Sequence, residues 1–110
     1  MTIVKRQDTT PQPVAEGRQR YLAYTEDLMV VVFEFEGGPT AQPDPPHNHP
    51  HQQITYVAEG EVLFFIEGVP HRLAPGDLIT VPSNVPHSIQ LLTERVRLVD
   101  TFSPIRTDFL

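Results

Sequence analysis

The stretch Pro46-His47-Asn48-His49-Pro50-His51-Gln52-Gln53 gathers three of the chain's five histidines and an amide into one short, proline-stiffened run. In an extended chain successive side chains alternate faces, so His47, His49, His51 and Gln53 share a parity and can converge on one point. Crowded imidazoles repel one another when protonated, whereas neutral ones offer lone pairs to a divalent transition metal, and that is the chemistry the spacing suggests. Pro46 and Pro50 favour extended conformations at Pro45 and His49. Pro50 cannot donate to a sheet ladder, so a bulge there would break the parity between His49 and His51. Pattern alone therefore leaves His51 and Gln53 as alternatives for the remaining ligand position. The bland alternative for the whole stretch is a solvated, histidine-rich loop.

Two further positions carry chemistry. His87 closes the loop Pro82-Ser83-Asn84-Val85-Pro86-His87, two hairpins downstream of His47 and His49, a connection that can bring it back beside them. Asp100 lies on the apolar face of a cleanly alternating run, with Val96, Leu98 and Phe102 on the same side and Arg95, Arg97, Val99 and Thr101 on the other. A carboxylate there costs desolvation unless it is paired, hydrogen-bonded or used, and burial raises its pKa toward a range useful for proton transfer. His71 has no partner implied by its neighbours and reads as a surface residue.

The elements that must position these groups read as strands. Arg20 to Tyr24 and Leu28 to Glu36 form a hairpin, with Met29, Val31, Phe33 and Phe35 on one face of its second strand as core. A proline-rich loop then delivers the chain to the histidines. Ile54 to Val57 continues as a strand into a turn at Gly60, Val62 to Ile66 returns, Leu78 to Val81 reads as a buried strand, and Ser88 to Leu92 and Arg95 to Phe102 complete the set. Asn84 suits a left-handed turn position. Residues 1 to 19, with a short β-like run from Thr2 to Lys5, read as an N-terminal arm that pairs with a neighbouring subunit's sheet edge, the alternative being a loose terminus. Residues 20 to 110 form a single domain that ends in a tail from Ser103 to Leu110, in which Arg106 is the one cation.

The whole chain narrows the functional classes. A length of 110 residues suits one domain with a real core. With no cysteine, thiolate ligands, disulfides and cysteine nucleophiles are unavailable, so nitrogen and oxygen must supply any ligand set. A net charge of −6 gives no footprint for nucleic acid or an anionic membrane. No apolar run approaches a membrane span and the N-terminus lacks the apolar core of a signal peptide, so a cytoplasmic location is expected. Twelve prolines fall between apolar runs, as stiff turns joining many short strands do.

With His87 in place, the chain resembles a cupin over residues 38 to 92. The first motif of that family is matched by His47-x-His49, then Gln53 and Gly60. The second is matched by Gly76, Pro82, Asn84 where glycine is usual, and His87, with fifteen residues between Gly60 and Gly76. The resemblance implies an all-β, single-domain double-stranded β-helix, or jelly-roll barrel, holding a metal at its mouth. Three positions depart from the pattern: Gln53 replaces the usual glutamate, Ala41 an expected glycine and Leu91 the terminal asparagine. Three imidazoles and an amide leave the cation's charge uncompensated, which makes a stronger Lewis acid in a weaker cage and disfavours oxygen chemistry.

The run His47 to Gln53 followed by Tyr56-Val57, together with the ending Asp100 to Leu110, is similar to the KdgF-like cupins that linearise 4,5-unsaturated uronates in pectin and alginate breakdown. That resemblance implies metal ligands at His47, His49, Gln53 and His87, with Asp100, Phe102 and Arg106 lining an active site and His51 orienting Gln53 or substrate. It further implies a divalent transition metal (Zn, Ni, Fe, Mn or Co), a sugar-acid substrate and a homodimer. The alternatives are a non-catalytic cupin that binds a metal or small ligand, and a cupin oxygenase.

Overall fold

Alternating burial of apolar side chains drives the chain into strands, and proline and glycine punctuate them. The computed structural model describes all 110 residues and contains nine strands: β1 (Gln12–Ala15), β2 (Arg18–Tyr24), β3 (Met29–Phe35), β4 (Gln52–Glu59), β5 (Val62–Ile66), β6 (Val69–Leu73), β7 (Leu78–Val81), β8 (His87–Leu91) and β9 (Val96–Ser103). One sheet runs in the order β1-β2-β3-β9-β4-β7 and a second in the order β6-β5-β8. All named pairings are antiparallel. This is the expected all-β jelly roll.

The core lies between the sheets. Phe35, Val57, Val81, Val96 and Leu98 of the large sheet pack with Val62, Phe64, Leu73 and Leu91 of the small one. Each such side chain, fully buried, contributes about 1.5–3 kcal/mol. A second cluster of Met29, Val31 and Phe102 lies at one end, covered by Leu22, Ile105 and Phe109. Gly60 shows how tightly the β4–β5 turn is pressed against the start of β9. Its φ is +77°, and a Cβ built there would come within 2.1 Å of the Arg95 carbonyl oxygen.

Two expectations need correction. Thr2 to Lys5 is not a strand; the first strand is β1, paired with β2 across a tight turn at Gly17. β7 is not a buried strand, because it is the outermost of the large sheet and only Val81 of its four residues is buried. An unbroken apolar run does not distinguish an edge strand whose second face is bare from one covered on both faces. The C-terminal tail is packed against the barrel: a 3₁₀ turn at Thr107–Phe109 brings Phe109 against Phe33 and Phe102, edge to face, at 6.1 and 5.9 Å.

Candidate metal centre and adjoining cavity

The loop between β3 and β4 carries His47 and His49, and the start of β8 carries His87. Backbone bonds clamp them together. His47 and His87 exchange N–H to C=O hydrogen bonds of 3.0 and 2.9 Å, and the Asn84 amide donates to the His49 carbonyl at 2.8 Å. Asn84 has φ 61°, the left-handed conformation read from its type. Ligand-capable atoms of His47, His49 and His87 all fall within 4.8 Å of one another. Gln53, first on the inward face of β4, places Oε1 3.0 Å from His49 Nε2. The bend at Pro50 and His51 breaks the alternation, as the proline implied, so the His51 ring is not part of this cluster.

Hydrogen bonding settles the tautomers. A carbonyl can only accept, so His49 Nδ1, 3.0 Å from the His51 oxygen, and His87 Nδ1, 2.8 Å from the Val85 oxygen, each carry the hydrogen. Both Nε2 atoms therefore keep their lone pairs, and the backbone does the orienting that metal-binding imidazoles require. His87 Nε2 is buried with no partner. Gln53 donates its amide N–H to Thr55 Oγ1 at 2.9 Å, which turns its carbonyl oxygen toward the histidines. Lone pairs on Gln53 Oε1, His49 Nε2 and His87 Nε2 thus crowd one region with no hydrogen among them. Such a group fits a cation and is unfavourable without one, so the cluster could hold a metal ion.

Burial and mutual repulsion keep the imidazoles neutral. The pKa of His87 is pushed down to about 4, chiefly by desolvation, and those of His47 and His49 are lowered for the same reason. Asp100 moves the other way. Buried on β9 opposite Thr55, it is raised to about 7 by desolvation, against the opposing pull of the Thr55 hydrogen bond and the Arg106 charge. Thr55 donates to Asp100 Oδ1 at 2.6 Å. An unbroken hydrogen-bonded chain therefore runs Gln53, Thr55, Asp100, with the Gln53 carbonyl oxygen turned to the lone pair of His49.

These groups open onto a cavity of about 270 Å³, whose wall includes His47, His87, Gln53, Asp100, Phe102 and Arg106. The candidate ligands and the residues expected to line an active site thus meet at one place, with His49 joined to them through Gln53 and His87; the His51 ring stands apart, its backbone carbonyl accepting from His49, and His71 is exposed on β6 as expected. Phe102 is 2% exposed and belongs to the core, its ring 5.7 Å from that of His49, so it shapes the floor of the cavity. Arg106, which by itself would read as solvated, is held with a bidentate bond to Asp108 at 3.3 and 2.8 Å and lies 4.2 Å from the Phe109 ring centre.

Four lining or linking residues were missed: Thr55, Arg18, Arg20 and Phe109. Thr55 has the same parity as Gln53, and the pairing of Arg18 and Arg20 with Phe35 and Phe33 turns both arginines inward. Those signals exist only once the ladder is known. Phe109 carried no periodic signal at all.

A profile of the cupin domain family matches residues 31–102. The pectin degradation protein KdgF of Dickeya dadantii is 38% identical over 106 residues, 94% of each chain. Among solved structures, KdgF from Halomonas sp. superposes with a TM-score of 0.90 at 35% identity, covering 100% of this chain and 99% of that one. An RmlC-like cupin from Shewanella frigidimarina does so with a TM-score of 0.89 at 33% identity, covering 100% and 96%.

Proposed function

The chain belongs to the cupin family, and from that premise we propose that it is a metal-dependent enzyme that linearises 4,5-unsaturated uronates. The observation that carries the reading is the hydrogen-bonded chain that runs from Gln53, whose carbonyl oxygen faces the histidines, through Thr55 to a buried carboxyl poised near neutrality. The name of the Dickeya relative, which covers nearly the whole chain, supports the substrate class, because lyase cleavage of pectin leaves a 4,5-unsaturated uronate at the new end.

His47, His49, Gln53 and His87 would hold the ion, which supplies Lewis acidity to a substrate oxygen when bound. Opening the ring breaks the C1–O5 bond and sends its electron pair to O5, while the C1 hydroxyl loses its proton and becomes an aldehyde. The resulting C5 enol becomes a ketone as C4 gains a proton. Asp100 takes the first proton and returns one at C4, so the reaction is an isomerisation that needs no co-reactant. Thr55 fixes the Asp100 carboxyl, and the amide at position 53 fixes Thr55: because Gln53 donates to the hydroxyl oxygen, the hydroxyl hydrogen is left for Asp100. A glutamate at 53 would compete for that hydrogen. Phe102 holds the floor against the sugar, and Arg106 faces the carboxylate. A cupin oxygenase fits less well, since the donor set contains no carboxylate.

Metal-replete protein should accelerate the loss of the 4,5-double-bond absorbance from lyase products. Asp100→Asn should lower kcat by about 10²- to 10⁴-fold with metal content unchanged, whereas Thr55→Ser should retain far more activity than Thr55→Val. No acceleration over buffer, or full activity in Asp100→Asn, contradicts the proposal. We also propose that the outer face of the large sheet, where Ile54, Tyr56 and Leu78 are exposed, is covered by a second copy of the chain. These residues adjoin Val30, Val32 and Val99 in rows across four strands, a width that suits a self-complementary twofold contact. Light scattering should give twice the monomer mass, falling to one in Leu78→Glu; a monomeric wild type contradicts it.

A further inference from the structure

β2 presents Arg18 and Arg20 to the same cavity that Arg106 enters from the C-terminal segment. Two of these three cations have counter-ions. Arg18 is bidentate to Asp44 at 2.6 and 2.9 Å, and the Arg106 fork is already closed on Asp108. Arg20 has none: the ion pairs of the molecule are Arg6–Glu34, Arg18–Asp44, Arg72–Glu61, Arg97–Glu59 and Arg106–Asp108. Its Nε donates to the Gln12 side-chain oxygen of β1 at 3.1 Å, which fixes the plane of the guanidinium and leaves the terminal amino groups free. The guanidinium stacks 3.9 Å from the Phe109 ring centre, the same ring that Arg106 approaches at 4.2 Å. Desolvation and the nearby Arg106 both act against its charge, and only the field of Asp108, already engaged, acts for it.

A half-buried, oriented guanidinium beside a second cation and lacking a counter-ion is a place for an anion from outside the chain. We propose that Arg20 anchors the carboxylate of the substrate, with Arg106 beside it on Phe109, and so makes the cavity select sugar acids over neutral sugars. The inference rests on the uronate reading and deepens it: the free fork is that of Arg20, while Arg106, bound to Asp108, contributes charge and one edge. It also gives the N-terminal hairpin a task, since Gln12 holds Arg20 in place.

The test compares the unsaturated uronate with its methyl ester, using metal-replete wild type, Arg20→Gln and Arg20→Lys, each checked for an unaltered fold by circular dichroism. In the wild type the ester should show a KM about 10- to 100-fold above that of the acid, the worth of one charge-assisted pair. Arg20→Gln should raise the acid's KM by a similar factor, with the loss falling on KM rather than kcat, and should hardly move that of the ester. Arg20→Lys, which keeps charge and stem but loses the fork, should fall between, and it decides the matter if Arg20→Gln does not fold. Equal KM values for the acid in wild type and a folded variant would overturn the role of Arg20 while leaving the activity standing. If the wild type turns over no unsaturated uronate, the functional reading fails and Arg20 is judged by binding of galacturonate against galactose. A preference for the acid that disappears in the variant supports the anion site, and no preference, or one that survives, overturns it.

Discussion

Asp100 and His87 are buried groups with pKa values displaced in opposite directions, and the folded protein therefore responds to pH in a way a single substitution can expose. Asp100 titrates near 3.8 in the unfolded chain and at about 7 when folded. Its contribution is complete below about 3.8 and is lost as pH rises through 7, because above that the fold must bury a charge. His87, lowered from 6.5 to about 4, acts the other way, and its contribution is complete above 6.5 and lost as pH falls toward 4. Metal-free Asp100→Asn should thus melt higher than wild type at pH 8, with the gap closing toward pH 4, in thermal denaturation followed by circular dichroism. A variant that melts lower at pH 8 would mean that the carboxylate is stabilised by partners beyond Thr55 and Arg106. Asp100 was legible in the sequence because it interrupts an otherwise apolar face. Thr55 and Arg20 were not, since a threonine suits any strand and an arginine at a strand's start reads as solvated until its cross-strand partner is known.

At the scale of elements, the histidine loop and the β7–β8 loop are held together by contacts that local sequence partly announces. Asn84 accepts its left-handed backbone and donates to His49, and the Ser83 hydroxyl donates to the Pro50 carbonyl at 2.5 Å. The glycine at 60 does comparable work for the β4–β5 turn. Gly60→Ala should lower stability by at least the roughly 1–2 kcal/mol of a left-handed non-glycine residue, since the added methyl also meets the Arg95 carbonyl and Val96. A melting temperature lower by several degrees is expected, and an unchanged one would show that the turn can reorganise freely. The limits of β3 and β9, whose alternation is clear, agree with the sequence to within a residue at each end, whereas β4 runs from Gln52 to Glu59, beyond the expected Ile54 to Val57, because its ladder with β9 carries on past both ends. β1 and the C-terminal turn were not legible, because neither has a periodic face of its own: β1 depends on pairing with β2, and Phe109 on the aromatic surface it covers.

For the molecule as a whole, the histidines join two sheets. His47 and His49 precede β4 of the large sheet, and His87 opens β8 of the small one. An ion shared among them would tie the sheets together, so chelation should destabilise the entire fold. At a free metal concentration a hundredfold above Kd the linkage is about 2.7 kcal/mol, a fall in melting temperature of roughly 10 °C for a domain of this size. His87→Ala should melt equally with and without chelator, and a wild type indifferent to metal would remove the centre from the account. The barrel itself was legible as a whole only through the cupin resemblance that His47, His49, Gln53, Gly60, Gly76 and His87 carry in that order. The arginine-lined side of the cavity was not, because it is assembled from the two ends of the chain, which meet only in the fold.

The central claim is that Asp100 handles the proton that turns the enol into a ketone, and isotope incorporation tests it most directly. Early product formed in D₂O, read by proton NMR, should carry a single deuterium at C4 in one stereochemical position with wild type and both positions with Asp100→Asn. A mixture of both positions from the wild type would contradict it.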